Sequence, residues 1–209
     1  MIDPRILRLY LVLDPVLCGG FAGMIDTARC AAEAGATLIQ LRAPQWKKRE
    51  LAACGRALME ALRPTGTPLI VNDHLDVALA IGAQGVHVGQ DDLSPADCRR
   101  LMPPDMLLGL SVSNTTETLA VDPSLVDYIG IGPIWQTSTK PDAAPALGVD
   151  GLSALLPTAK VPSVAIGGIK LENARTVMAT GTNGIAVVSA VCGQPDPAAA
   201  VHALLRAVS

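Results

Sequence analysis

The chain has 209 residues, of which 50% are hydrophobic and 17% charged, with a formal net charge of −3. That is enough apolar material for a large core, and without a basic stripe interleaved with aromatics it excludes a nucleic-acid surface. Aromatics make up only 2%, so the core has to be built from Ala, Val, Leu and Ile, as where helices pack on a buried parallel sheet.

The first stretch, MIDPRILRLYLVLDP, is apolar only briefly. Arg5 and Arg8 interrupt it and Asp14-Pro15 closes it. It is too short to span a bilayer and lacks a signal-peptide layout, so a cytoplasmic protein with no membrane partner is expected. The five cysteines (Cys18, Cys30, Cys54, Cys98 and Cys192) are odd in number, scattered and without a CxxC. They are read as small buried hydrophobes rather than as disulfides or zinc ligands. The cluster Lys47-Lys48-Arg49 opens a solvated helix face.

Along the chain, short β-rich apolar runs alternate with Ala- and Leu-rich stretches of helical period. The runs are RLYLVLD (8–14), TLIQLR (37–42), PLIVND (68–73), GVHVGQ (85–90), LLGLSVS (107–113), VDYIGIGPI (126–134), PSVAIGG (162–168) and GIAVVSA (184–190). Helices are expected over 24–35, 49–62, 94–102, 171–181 and 196–208. The pieces after the third and fifth runs are short for helices. Gly35 and Gly181 suit positions just past helix ends, and Ser94-Pro95 suits an N-cap followed by proline at the first helical position. No linker or low-complexity tract divides the chain. Eight such units in one domain over 1–209 predict a (β/α)8, or TIM, barrel with outer helices. The rival, an open doubly wound sheet, lacks its Gly-rich fingerprint: after the first run the chain reads DPVLCGGFAG.

In such a barrel the active site lies at the C-terminal ends of the strands. The runs are almost purely apolar and their exits almost uniformly polar. Asp14, Gln40 and Arg42, Asn72-Asp73-His74, Gln90-Asp91-Asp92, Ser111 and Ser113, Thr137-Ser138-Thr139-Lys140, Gly167-Gly168 and Ser189 stand there in turn. Asp73 and Asp92 follow neighbouring strands. Two carboxylates at one mouth repel unless a cation or proton is shared, and magnesium takes one or two carboxylates plus phosphate oxygens. Either Asp could instead cap a turn. Arg42 and Lys140 are cations suited to phosphate. The hydroxyls of Thr137, Ser138 and Thr139 can donate to phosphate oxygens, and Gly167-Gly168 is either an anion-binding turn or merely a tight one. His202 and His87 read as structural, His87 as an interior hydrogen-bonded histidine. No Ser–His–Asp or Cys–His arrangement points to a hydrolase.

The segments QLRAP (40–44), IVNDH (70–74), GVHVGQDDL (85–93), GLSVS (109–113), DYIGIGPIWQTSTKPDA (127–143), VAIGGI (164–169) and GIAVVSA (184–190) resemble, in order, the motifs of the thiamine-phosphate synthase family. The likeness spans nearly the whole chain. It implies a transferase that joins hydroxymethylpyrimidine diphosphate to a thiazole phosphate, releasing pyrophosphate and forming thiamine phosphate. It implies Mg2+ held by Asp73 and Asp92. Gln40, Arg42, Asn72, Ser111 and Lys140 would take the pyrimidine diphosphate, with Lys140, Ser111 and Arg42 carrying the catalysis. Thr137, Ser138, Thr139, Gly168, Val188 and Ser189 would take the thiazole phosphate. Its partners are then phosphorylated small molecules, and a homo-oligomer is left open.

Two positions depart from the family pattern. A Glu-Lys pair usually follows Gln-x-Arg, where this chain has Ala43-Pro44. An Arg usually follows Asn-Asp, where it has His74. The related thiazole tautomerase branch uses a histidine in the strand-five segment, which here reads SVSN (111–114). A tautomerase-like isomerase, a binding-only paralogue and a Schiff-base lyase using Lys140 remain as alternatives to the synthase.

Overall fold

The computed structural model describes residues 2–137 and 144–208. Eight parallel strands close on themselves in sequence order, each hydrogen-bonded to the next and the last to the first. In chain order they are β1 (Leu9–Leu13), α1 (Phe21–Glu33), β2 (Leu38–Leu41), α2 (Lys48–Leu62), β3 (Leu69–Asn72), α3 (Leu75–Ile81), β4 (Gly85–Val88) and α4 (Pro95–Leu101). Then come β5 (Leu107–Val112), α5 (Thr115–Ala120), β6 (Tyr128–Ile131), α6 (Gly148–Leu155), β7 (Ser163–Ile166), α7 (Leu171–Met178), β8 (Gly184–Val187) and α8 (Pro197–Ala207). This is the expected (β/α)8 barrel. No helix among the described residues is long and apolar enough to cross a membrane.

The helices start and stop where local chemistry dictates. Ser94 Oγ accepts from the Asp97 N–H at 3.1 Å and Pro95 opens α4, as the sequence predicts. Asp196 caps α8 in the same way, through the Ala199 N–H. Gly35 follows the α1 C-cap at φ +103°. Gly181 sits one position later than expected, because α7 ends at Met178 and its cap is Ala179. The short pieces after β3 and β5 do form helices, of 7 and 6 residues. The strands stop up to three residues short of the apolar runs. In the run 126–134 the reason is local: Pro133 has no N–H to give a ladder.

Period-two alternation along each strand sorts the side chains into two cores. One face packs outward against the helices: Leu9, Leu11 and Leu13 of β1, Ile39 and Leu41 of β2, and Val86 and Val88 of β4. The other face fills the barrel: Tyr10, Val12, Leu38, Ile70, Tyr128, Val164 and Ala186. A 3-10 turn, Pro4–Leu7, stoppers the lower end with Leu7, aided by Ile2 and Ile6. Gly184 allows this, since a Cβ there would lie 1.8 Å from the Leu7 carbonyl oxygen.

On the inward face the parity that places Leu38, Ile70 and Tyr128 low in the barrel places Gln40, Asn72 and Gly130 one step higher. His87 and Ser111 stand beside them in register, with Asn72 opposite His87 and Ser111 opposite Gly130. Below, Arg99 of α4 ties the strand entrances together. It donates to the carbonyls of Leu125 (2.5 Å) and Met106 (2.7 Å) and to Asp127, whose carboxylate also accepts the Leu108 N–H.

Gly109 is tightly enclosed just beneath the polar layer. A Cβ there would lie 2.3 Å from both His87 Nδ1 and Tyr128 Cζ. Gly109→Ala is therefore expected to lower stability by about 1–3 kcal/mol, the usual cost of overpacking a filled interior. Equilibrium unfolding in urea measures it, and an unchanged midpoint would contradict this packing.

Candidate active site

Two adjoining cavities open at the C-terminal ends of the strands. The inner one, of about 350 Å3, is floored by Tyr10, Gln40, His87 and Ser111 and rimmed by Thr137, Gly168, Val188 and Ser189. The outer one, of about 1010 Å3, is lined by Asp14, Pro44, Trp46, Asp73 and Asp92, among others. Arg42, Asn72, Gly89, Gln90, Asp91 and Ser111 line both, so the two are halves of one mouth.

The floor is a hydrogen-bonded array. Gln40 Nε2 donates to the Tyr10 hydroxyl at 2.6 Å, and the Tyr10 and Tyr128 hydroxyls are 3.0 Å apart. His87 Nδ1 lies 3.1 Å from the Tyr128 hydroxyl and His87 Nε2 lies 2.9 Å from Ser111 Oγ. Burial pushes both phenols well up from the ordinary tyrosine range, so they stay neutral and can donate. Among the described residues no buried side-chain N or O atom lacks a partner. His87 is thus the interior hydrogen-bonded histidine that was expected, but it touches a site residue as well.

On the outer side, Asp73 is the only non-glycine residue among those described with positive φ, at +60°. Such a conformation costs on the order of 1 kcal/mol. The Asp73 N–H donates to the His87 carbonyl at 2.8 Å, and the turn is closed by His74 N–H to Asn72 O (2.7 Å). Asp92 Oδ2 accepts the Gly89 N–H at 2.7 Å. Asp92 therefore does cap a turn, while its side chain still faces the cavity. Asp14 plays a similar part, with Oδ1 accepting the N–H groups of Val16 and Leu17. Gln90 Nε2 donates to the Ser111 carbonyl at 2.6 Å, which ties the β4 exit to β5.

Among the described residues, no group of three or more His, Cys, Asp and Glu side chains is placed to hold a metal ion. A zinc-type cage is therefore a poor fit. A hard cation that takes one or two carboxylates and completes its shell with phosphate oxygens and water fits Asp73 and Asp92 facing one cavity.

The departures at 43, 44 and 74 have distinct outcomes. Ala43 is buried and Pro44 is an exposed part of the outer wall. His74 lines neither cavity and occupies the N-cap position of α3, where its carbonyl accepts the Ala78 N–H and its side chain makes no cap bond. Lys48 is bonded to Asp76 at 2.7 Å, and that bond holds the Asp76 carboxyl below its usual range. Trp46 stacks on Phe21, with ring centroids 6.1 Å apart and planes 15° apart, giving the outer cavity an aromatic wall.

On the rim, Gly167 and Gly168 have φ of +104° and +66°. A Cβ on Gly168 would lie 2.7 Å from Trp135 Cβ, so this turn needs glycine for space as well as for conformation. The β1–α1 and β8–α8 loops meet through Cys18 and Cys192. Cys192 Sγ donates to the Val12 carbonyl at 3.6 Å, and with the two thiols side by side Cys18 is held below the ordinary thiol range while Cys192 is pushed up.

Of the predicted site residues, Gln40, Arg42, Asn72, Ser111, Thr137, Gly168, Val188 and Ser189 come together around the inner cavity, and Asp73 and Asp92 face the outer one. Ser138, Thr139 and Lys140 lie outside the described residues. Tyr10, Tyr128 and Trp46 were not singled out from the sequence, and Asp91 was named at the fourth strand's exit without a role. For the two tyrosines a signal existed: they are the only ones in the chain, and both occupy strand positions of inward parity.

Known proteins match this architecture over nearly its whole length. The family model described as "Thiamine monophosphate synthase" matches residues 9–191. The thiamine-phosphate synthase of Laribacter hongkongensis is 52% identical over 196 residues, covering 94% of this chain and 92% of that protein. That of Azorhizobium caulinodans is 49% identical over 204 residues, covering 98% and 96%. The solved structure of thiamine phosphate pyrophosphorylase from Pyrococcus furiosus superposes with a TM-score of 0.88 at 35% identity, covering 98% of this chain and 96% of that one. By fold, motif order and sequence, the chain belongs to the thiamine monophosphate synthase family.

Proposed function

We propose that the two-part mouth condenses hydroxymethylpyrimidine diphosphate with a thiazole phosphate, yielding thiamine phosphate and pyrophosphate. The transferase class follows from the family; the assignment of residues to substrates is our reading. One observation carries it. A carboxylate-lined outer cavity and a hydroxyl- and glycine-rimmed inner cavity share Arg42, Asn72 and Ser111 as a common wall. Two phosphorylated reactants can thus lie side by side.

In this reading the diphosphate occupies the outer half. Asp73 and Asp92 hold Mg2+, which when bound neutralises charge growing on the leaving pyrophosphate. Arg42 adds positive charge there, and such preorganised electrostatics need not reorganise as the bond breaks; Lys140, outside the described residues, is assigned the same charge-neutralising role from the family resemblance. The pyrimidine ring points inward to Gln40 and Ser111. The thiazole phosphate sits at the rim, on Thr137, Gly168, Val188 and Ser189; Ser138 and Thr139, outside the described residues, are assigned to it from the family resemblance.

The C–O bond to pyrophosphate breaks with its electron pair leaving on oxygen. The thiazole nitrogen lone pair then forms the new C–N bond. No proton changes hands at the reacting atoms, so no general base is needed. The apolar strand walls, including Val164, Ile166 and Ala186, help exclude water from the pyrimidine carbocation that C–O cleavage leaves. A cytoplasmic location belongs to the same proposal, since five free cysteines are at home in a reducing compartment.

A single-turnover reaction with the pyrimidine diphosphate, the thiazole phosphate and magnesium is expected to give thiamine phosphate, and chelation of the metal to abolish it. No product from folded protein that still binds either phosphate would sink the synthase reading. Arg42→Ala should lower kcat/KM about 10- to 100-fold, the worth of one or two hydrogen bonds to a charged group. Asp73→Asn should raise the magnesium concentration needed for half-maximal rate, and an unchanged metal requirement would remove Asp73 from the metal site. Lys140→Ala should lose most turnover with its thermal midpoint unchanged; normal turnover would show that its phosphate role is wrong.

A further inference from the structure

We infer that Tyr10, Tyr128 and His87 form a one-way hydrogen-bond chain that fixes His87 as its Nε2–H tautomer and turns the Ser111 hydroxyl proton into the cavity. They are positioning residues, acting through Ser111.

The direction follows from counting protons. Gln40 Nε2 can only donate, so the Tyr10 oxygen accepts from it. Tyr10 is fully buried, and among the described residues its own proton has one acceptor in reach, the Tyr128 oxygen at 3.0 Å. Tyr128, accepting there, has one acceptor in turn among the described residues, His87 Nδ1 at 3.1 Å. An imidazole that accepts at Nδ1 carries its proton on Nε2. That proton points at Ser111 Oγ, 2.9 Å away. The Ser111 oxygen is then already an acceptor, and its proton is left for the cavity that Ser111 lines. Such a chain polarises each successive donor, which strengthens the last.

The amide end of Gln40 sets the whole sense. With Oε1 facing Tyr10, every arrow would reverse, His87 would carry its proton on Nδ1, and Ser111 would donate to His87 instead of to substrate. Space for the chain is reserved by two glycines. A Cβ at Gly109 would strike His87 and Tyr128, and one at Gly130 would lie 3.2 Å from His87 Cε1. The chain thus assigns Ser111 a donor's role, suited to an acceptor on the bound pyrimidine diphosphate, a ring nitrogen or a phosphate oxygen.

Only three histidines occur, His74, His87 and His202, so nitrogen-15 NMR of histidine-labelled protein reads the tautomer directly. His74→Gln and His202→Gln assign the other two by loss of signal. The expected result is a His87 with a bare Nδ1 and a protonated Nε2. A proton on Nδ1 would overturn the proposal.

In Tyr128→Phe, His87 loses its donor, and the Nδ1–H form is expected to gain population. The same variant should lose about 3- to 10-fold in kcat/KM, the worth of one neutral hydrogen bond. In a Ser111→Ala background the same change should cost nothing further. An equal loss in both backgrounds would show that Tyr128 does not act through Ser111. The kinetic arm rests on Ser111 touching substrate, as proposed above. The tautomer arm does not, and it decides the direction of the chain even where Tyr128→Phe fails to fold.

Discussion

Only every second residue of a strand can face the inside of a closed eight-stranded barrel, and the rest of the molecule depends on that alternation. It sends Leu9, Leu11 and Leu13 to the helices and Tyr10 and Val12 to the interior. The interior is narrow, so side chains fill it rather than leaving a channel. Low in the barrel the filling is apolar and sealed by Leu7. One inward step higher it becomes Gln40, Asn72, His87 and Ser111. The site is therefore not laid on top of the fold. It is the last layer of the core, made polar.

That origin explains the uneven character of the mouth. The inner cavity inherits rigid strand positions, and its polar groups are joined by buried hydrogen bonds. The outer cavity is built from loops that leave the strands, where turns held by Asp14 and Asp92 and the positive-φ turn at Asp73 shape the chain. Fine positioning belongs to the first and charge to the second. The outer half is also leaner in positive charge than the family pattern. Pro44 brings none, His74 lines neither cavity, and Lys48 is bonded to Asp76. Arg42 lines both halves.

Much of this was legible in the sequence. Eight apolar runs with polar exits are what a parallel barrel with one functional end must look like, because its strands are buried on both faces. Ser94-Pro95 and Gly35 were readable because caps and left-handed turns depend on local chemistry alone. Strand ends were not, since hydropathy continues past the last ladder hydrogen bond, as it does through Pro133. Asp92 could be read two ways and both readings hold in part: it caps the β4 turn and faces the cavity. The buried chain from Gln40 to Ser111 was not legible. It joins residues up to 118 positions apart, and only the closed register brings Tyr10 beside Tyr128. His87, read as merely structural, proved to be the link between that chain and a site residue.

The central claim is that the mouth holds two phosphorylated partners at once, in adjoining halves with a shared wall. Calorimetric titration of inorganic pyrophosphate with magnesium, in the absence and presence of saturating thiazole phosphate, tests it most directly. The account predicts that pyrophosphate still binds, one per chain, when the thiazole phosphate is already in place. Mutually exclusive binding, with the thiazole phosphate displacing pyrophosphate competitively, would contradict it.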